Sequence, residues 1–102
     1  MSELADKSFK YSFGLFISSG SNASDQAIRN LQKICEFLGK DDCQVEVVNI
    51  RLDPKRAESE RIMAIPTLVK YDPQPAMRII GDLGDHRRVL NALGYVPKVY
   101  TL

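Results

Sequence analysis

The chain has 102 residues, 44% hydrophobic and 26% charged, with a formal net charge of +1. That length fits one domain with a modest core, and a charge so near zero excludes a chain-wide basic surface, so no nucleic-acid partner is expected. No apolar run reaches the roughly 18 residues of a membrane span, and Met1–Lys10 is polar and mixed in charge, unlike a secretory leader; the expected location is the cytoplasm, without membrane contact.

Residues 1–9 read as an N-terminal extension. From Lys10 to Ile17 the chain alternates, with Tyr11, Phe13, Leu15 and Ile17 on one face and Ser12 and Gly14 on the other, which is a strand. Ser24 or Asn22 is placed to cap the next segment, where Ala27, Ile28, Leu31, Ile34, Cys35 and Leu38 recur at helical spacing until Gly39. From Gln44 to Ile50 the run is nearly continuous in Val and Ile, as in a strand buried on both faces. Strand, helix and strand make a βαβ unit with its two strands parallel. Asp53-Pro54 opens a short helix, Lys55 to Ile62, whose many charges read as a solvated face. Thr67–Tyr71 and Met77–Ile80 are strands joined by Asp72-Pro73-Gln74-Pro75, hence an antiparallel hairpin. Asp85 caps a last helix that turns Val89, Leu90 and Leu93 inward and ends at Gly94. Residues 95–102, which include Pro97, read as a C-terminal tail.

Little in the chain has the pattern of an active site. Cys35 sits at an apolar helical position and reads as a small buried hydrophobe, while Cys43 follows two aspartates in the loop before the second strand; neither belongs to a redox or metal motif. The one histidine, His86, would need distant co-ligands for zinc, so no metal is assigned. Gly81 and Gly84 lack the context of a phosphate loop, and Asp53, Glu58 and Glu60 lie on a charged segment rather than as a catalytic pair. No cofactor is implied. The expectation is a protein that is not an enzyme and acts through its surfaces.

The order βαβ, short helix, ββα resembles the thioredoxin-like α/β fold. Ile65-Pro66-Thr67 entering an apolar strand stands where that fold commonly places a cis proline. A thioredoxin carries Cys-x-x-Cys after its first strand; here the loop reads Ser18-Ser19-Gly20-Ser21-Asn22-Ala23-Ser24, with no thiol. A closer resemblance rests on Val47-Val48-Asn49-Ile50, Asp53-Pro54, Ala57-Glu58, the run Arg61-Ile62-Met63-Ala64-Ile65-Pro66-Thr67-Leu68-Val69-Lys70 and Arg78-Ile79-Ile80-Gly81-Asp82-Leu83, in one register with Val89-Leu90. Together these resemble the KaiB family of bacterial clock proteins, ungapped from about Tyr11 to Leu93, and mark residues 1–102 as a single KaiB-like domain.

This resemblance implies a binding protein whose partner is a KaiC-like hexameric ATPase and kinase, and whose role is to modulate the phosphorylation state of that ring in a clock or timing system. It also implies self-association as a dimer or tetramer and a second, non-thioredoxin topology of the C-terminal half. Lys70, Arg78 and Arg29 match basic positions of the family and are the expected partner-binding residues. Pro66, Pro73 and Pro75, with Ala92 and Gly94 near the end of the last helix, are the expected fold-switch positions: X-Pro isomers differ by only about 0.5–1 kcal/mol and exchange slowly. The plainer reading of these prolines is a stiff turn and one fixed cis bond. The aromatic residues Tyr11, Phe16, Tyr95 and Tyr100 fit a self-association surface or the core equally well. The chain departs from cyanobacterial members at Gln26 and Met77, where those carry arginine. The alternative function is a thioredoxin-fold interaction module in stress adaptation or signalling that has lost KaiC binding.

Overall fold

The computed structural model describes residues 8–95. The expected N-terminal extension and C-terminal tail fall outside these except for Ser8, Phe9 and Tyr95, and Tyr100 and Pro97 lie outside as well. The elements run β1 (Tyr11–Ile17), α1 (Asn22–Leu38), β2 (Cys43–Asn49), α2 (Pro54–Ser59), β3 (Thr67–Asp72), β4 (Met77–Ile80) and α3 (His86–Ala92). They form a four-stranded sheet in the order β2-β1-β3-β4, with β1 and β2 parallel and β3 antiparallel to both β1 and β4. This is the thioredoxin-like α/β arrangement read from the sequence, including the cis peptide bond at Ile65–Pro66; Asp72–Pro73 and Gln74–Pro75 are cis as well.

Each sheet face has its own core. On one, Tyr11, Phe13, Leu15 and Ile17 of β1 and Leu68 of β3 pack against Ala27, Leu31, Ile34 and Leu38 of α1 and against Leu83, Val89 and Leu93 around α3. On the other, Phe16, Val48 and Val69 pack with Ala57 of α2 and with Ile62 and Ile65. The period-2 alternation of β1 decides this division, because a residue and its neighbour must point to opposite faces. Tyr11 and Phe16 are therefore core residues and not part of a self-association surface, and Tyr95 packs partly buried against the first cluster.

The helix starts follow from side-chain capping. Ser21 holds the cap of α1: its Oγ accepts from the Ser24 N–H at 3.2 Å. This corrects the expected cap at Asn22 or Ser24; Ser24 lies inside the first turn, and its own buried Oγ accepts from the Ser18 N–H at 3.0 Å. Asp53 and Asp85 cap α2 and α3 through the backbone N–H groups of Arg56 and Arg88. A cap is a local event, so the two aspartates were legible, but where several hydroxyls crowd one turn the geometry of the incoming strand chooses among them. Gly39 ends α1 at φ +109, a conformation that costs a residue with a Cβ, and an added Cβ there would lie 2.6 Å from Asp42 Oδ2.

One strand differs from expectation. β2 is not buried on both faces: it is an edge strand, with Val45 39% and Val47 48% exposed, and only Val48 buried. An apolar run cannot by itself distinguish a central strand from an edge strand, since neighbours distant in sequence decide what covers it. Cys43, expected in the preceding loop, is the first residue of β2.

Candidate protein-interaction surface

A polar network organises the sheet face under α2. In register, Ser12 of β1 stands opposite Asp72 but Phe13 opposite Lys70, so Tyr71 is the extra residue of a β-bulge. The bulge lays the Tyr71 ring over the backbone of β1 at Gly14, where an added Cβ would stand 2.9 Å from both Cε2 and Oη of the ring. Glycine at 14 is thus required by close approach. Tyr71 Oη donates to Glu60 Oε1, while Arg56 Nε donates to Glu60 Oε2 at 2.5 Å. Arg56 Nη1 and Nη2 form a fork on the Glu46 carboxylate of β2, both at 2.8 Å.

The same guanidinium lies over the Phe16 ring at 5.8 Å from its centroid. The fork from Arg56 holds the Glu46 carboxyl below its ordinary range, and the bonds to Glu46 and then Glu60 raise Arg56 further. Burial, then the bond to Glu60, raises Tyr71. The charges of α2 are therefore more than a solvated face: one arginine ties α2 to β2 and, through Glu60, to β3. The spacing of Arg56 and Glu60, four apart on a helix, was readable beforehand; the link to Glu46 was not, since it depends on how α2 lies across the sheet.

The three basic residues singled out from the sequence fall in three different settings. Arg78 sits opposite Val69 in the β3–β4 register and so shares the α2 face, where Nη1 donates to the Arg61 carbonyl at 2.9 Å and Nη2 to that of Glu60. Lys70 sits opposite Phe13 and Met77 and so points to the other face, with the residue only 5% exposed and in no ion pair among the described residues. Arg29 is exposed on α1. The hairpin therefore presents Lys70 and Arg78 on opposite sides of the sheet, and the three do not form a single patch. Beside Arg29, Asn30 joins α1 to the α3 side: its Nδ2 donates to the Asp82 carbonyl at 2.8 Å, and its Oδ1 lies 3.1 Å from His86 Nε2.

The expected fold-switch positions are also dispersed. Pro66 is buried at the entry to β3, and Pro73 and Pro75 are exposed in the hairpin turn. Ala92 is exposed at the end of α3, and Gly94 follows at φ +83. Ala92 and Arg78 border one groove of about 550 Å³ between the β4 edge and α3, lined also by Met77, Ile79, Asp85 and Arg88. This groove runs along the edge strand β4 and carries both signs of charge. No group of three or more His, Cys, Asp or Glu able to hold a metal occurs among the described residues.

The KaiB domain family model matches residues 14–95, from within β1 through α3. The chain belongs to the KaiB family. It is 43% identical over 84 residues to the "Circadian clock protein KaiB3" of Synechocystis sp., covering 82% of each chain. To the "Circadian clock oscillator protein KaiB" of Prochlorococcus marinus it is 39% identical over 83 residues, 81% of this chain and 73% of that one. Among solved structures, the N-terminal domain of SasA from Synechococcus elongatus superposes with a TM-score of 0.69 at 19% identity, over 92% of both chains. Chloroplastic thioredoxin z superposes with a TM-score of 0.71 at 20% identity, over 88% of this chain and 80% of the other. These two likenesses speak to the fold alone. No helix among the described residues of this KaiB-family chain is long and apolar enough to cross a membrane.

Proposed function

We propose that this KaiB-family chain is a non-catalytic regulatory protein that binds a KaiC-like hexameric ATPase and modulates its phosphorylation state in a clock or timing system. The observation that carries this reading is the family match, because it spans residues 14–95 and so includes the hairpin, the β4–α3 groove and α1 together. The names of the relatives, circadian clock proteins, supply the setting. The absence of a thiol from Ser18 to Ser24 supports a role without thioredoxin chemistry. Arg29 and Arg78 are the exposed cations of the interface, and Lys70, a largely buried residue of β3, adds a basic group on the other sheet face; cations so placed act chiefly on orientation and association rate. Self-association, a cytoplasmic location and a second topology of the C-terminal half, pivoting on Pro66, Pro73, Pro75, Ala92 and Gly94, belong to the same proposal.

The test is a titration of the chain against the host's KaiC-like ATPase with ATP, followed over hours by size exclusion. A ring complex is expected, and Arg29→Glu should weaken it several-fold, since an exposed ion pair contributes up to about 1 kcal/mol and its reversal adds repulsion. No complex at tens of micromolar would leave the interaction-module reading in its place.

A further inference from the structure

We propose that Cys35 and Cys43 form a redox modification site, at which a small-molecule disulfide of the oxidised-glutathione class converts two thiols into one internal disulfide. The two residues are separated by seven others and belong to different elements, the last turns of α1 and the first residue of β2. The fold brings them together: Cys43 packs against the core cluster that contains Cys35. Both also line a cavity of about 340 Å³ between α1 and the edge strand β2, with apolar walls from Leu15, Leu31 and Val47.

Their exposure differs in a way that orders the chemistry. Cys35 is only 8% exposed, whereas Cys43 is half-buried. Cys43 is therefore the first thiol that an oxidant reaches, and Cys35 the resolving one. The Cys43 thiolate attacks a sulfur of the small disulfide; that S–S bond breaks, a mixed disulfide forms, and the departing thiolate takes up the proton that Cys43 lost. The Cys35 thiolate then attacks Cys43 Sγ, the second small thiolate leaves, and it takes up the proton of Cys35. Two protein thiols are oxidised and one small disulfide is reduced to two thiols, so the step balances.

Burial raises both thiols, and Asp42 raises Cys43 further, while Glu36 and Lys40 stand at the cavity rim. The bond would join the end of α1 to the start of β2 and leave the hairpin and α3 untouched.

The experiment incubates the full chain in glutathione buffers of increasing oxidised fraction and follows intact mass, then maps tryptic peptides 34–40 and 41–51, which carry one cysteine each. The expected product is a monomer lighter by two hydrogens in which these two peptides are joined. Cys35→Ser is expected to stop at a lasting glutathione adduct on Cys43, and Cys43→Ser to react much more slowly at Cys35. A glutathione adduct that persists in the unaltered chain, cross-linked dimers, or thiols still reduced in fully oxidised buffer would each overturn the proposal. The peptide map of the unaltered chain decides the matter even where a serine variant fails to fold.

Discussion

Replacing Gly14 by alanine tests the packing that holds the polar network. The backbone at 14 is ordinary strand, and alanine there removes unfolded-state freedom that would by itself stabilise the chain by about 0.5–1 kcal/mol. Against this, the new Cβ meets the Tyr71 ring at 2.9 Å at two atoms and 3.3 Å at a third, closer than carbon can pack. Overpacking of this kind costs about 1–3 kcal/mol. The ring cannot swing away freely, because Oη is bonded to Glu60; losing that bond to a carboxylate 20% exposed costs about a further 1 kcal/mol. The net expectation is a destabilisation of about 1–3 kcal/mol, a fall in Tm of about 4–8 °C for each kcal/mol in a domain of this size. Urea unfolding followed by circular dichroism measures it. In a Tyr71→Ala background the clash is gone, so the same substitution should be neutral or stabilising, with a coupling of at least about 1 kcal/mol between the two sites. Equal destabilisation in both backgrounds, or a stabilised single variant, would refute the close-approach argument.

Other substitutions probe separate parts of the fold. Ser21→Ala should cost about 1 kcal/mol by removing the cap of α1, whereas Asn22→Ala should cost a few tenths at most; thermal melts of the pair distinguish the observed cap from its neighbour. Leu68→Ala, fully buried in the central strand β3, should lose about 2–5 kcal/mol in urea unfolding, and a loss under about 1 kcal/mol would mean that this core is not tightly packed. Because Arg56 depresses the Glu46 carboxyl below its ordinary value of 4.5, the pair's contribution is complete above that pH and is lost as pH falls through the lower folded value. Arg56→Met should therefore flatten the decline of stability between pH 5 and lower values, a range in which denaturation midpoints can be compared directly.

Much of the fold could be read along the chain because its causes are local. The alternation of β1, the apolar spacing of α1, the aspartate caps before α2 and α3, and the proline-bearing turn between β3 and β4 each depend on residues within a few positions of one another. The same local signals carried the family resemblance. What they could not convey was adjacency. Val45 and Val47 look like the interior of a sheet, yet β2 lies at its edge, and Cys35 and Cys43 look unrelated, yet share one cavity.

The candidate interface divides in the same manner. That Lys70, Arg78 and Arg29 are cations was plain, but their settings were decided by the bulge at Tyr71, the β3–β4 register and the fall of α2 across the sheet. The sequence by itself determined the elements, their order and the lack of a thiol after the first strand, since periodicity and capping act through neighbours in the chain. Only the tertiary structure decided which strand is an edge, which lysine is buried, and which charges and thiols meet, since those depend on contacts between segments that no local pattern encodes.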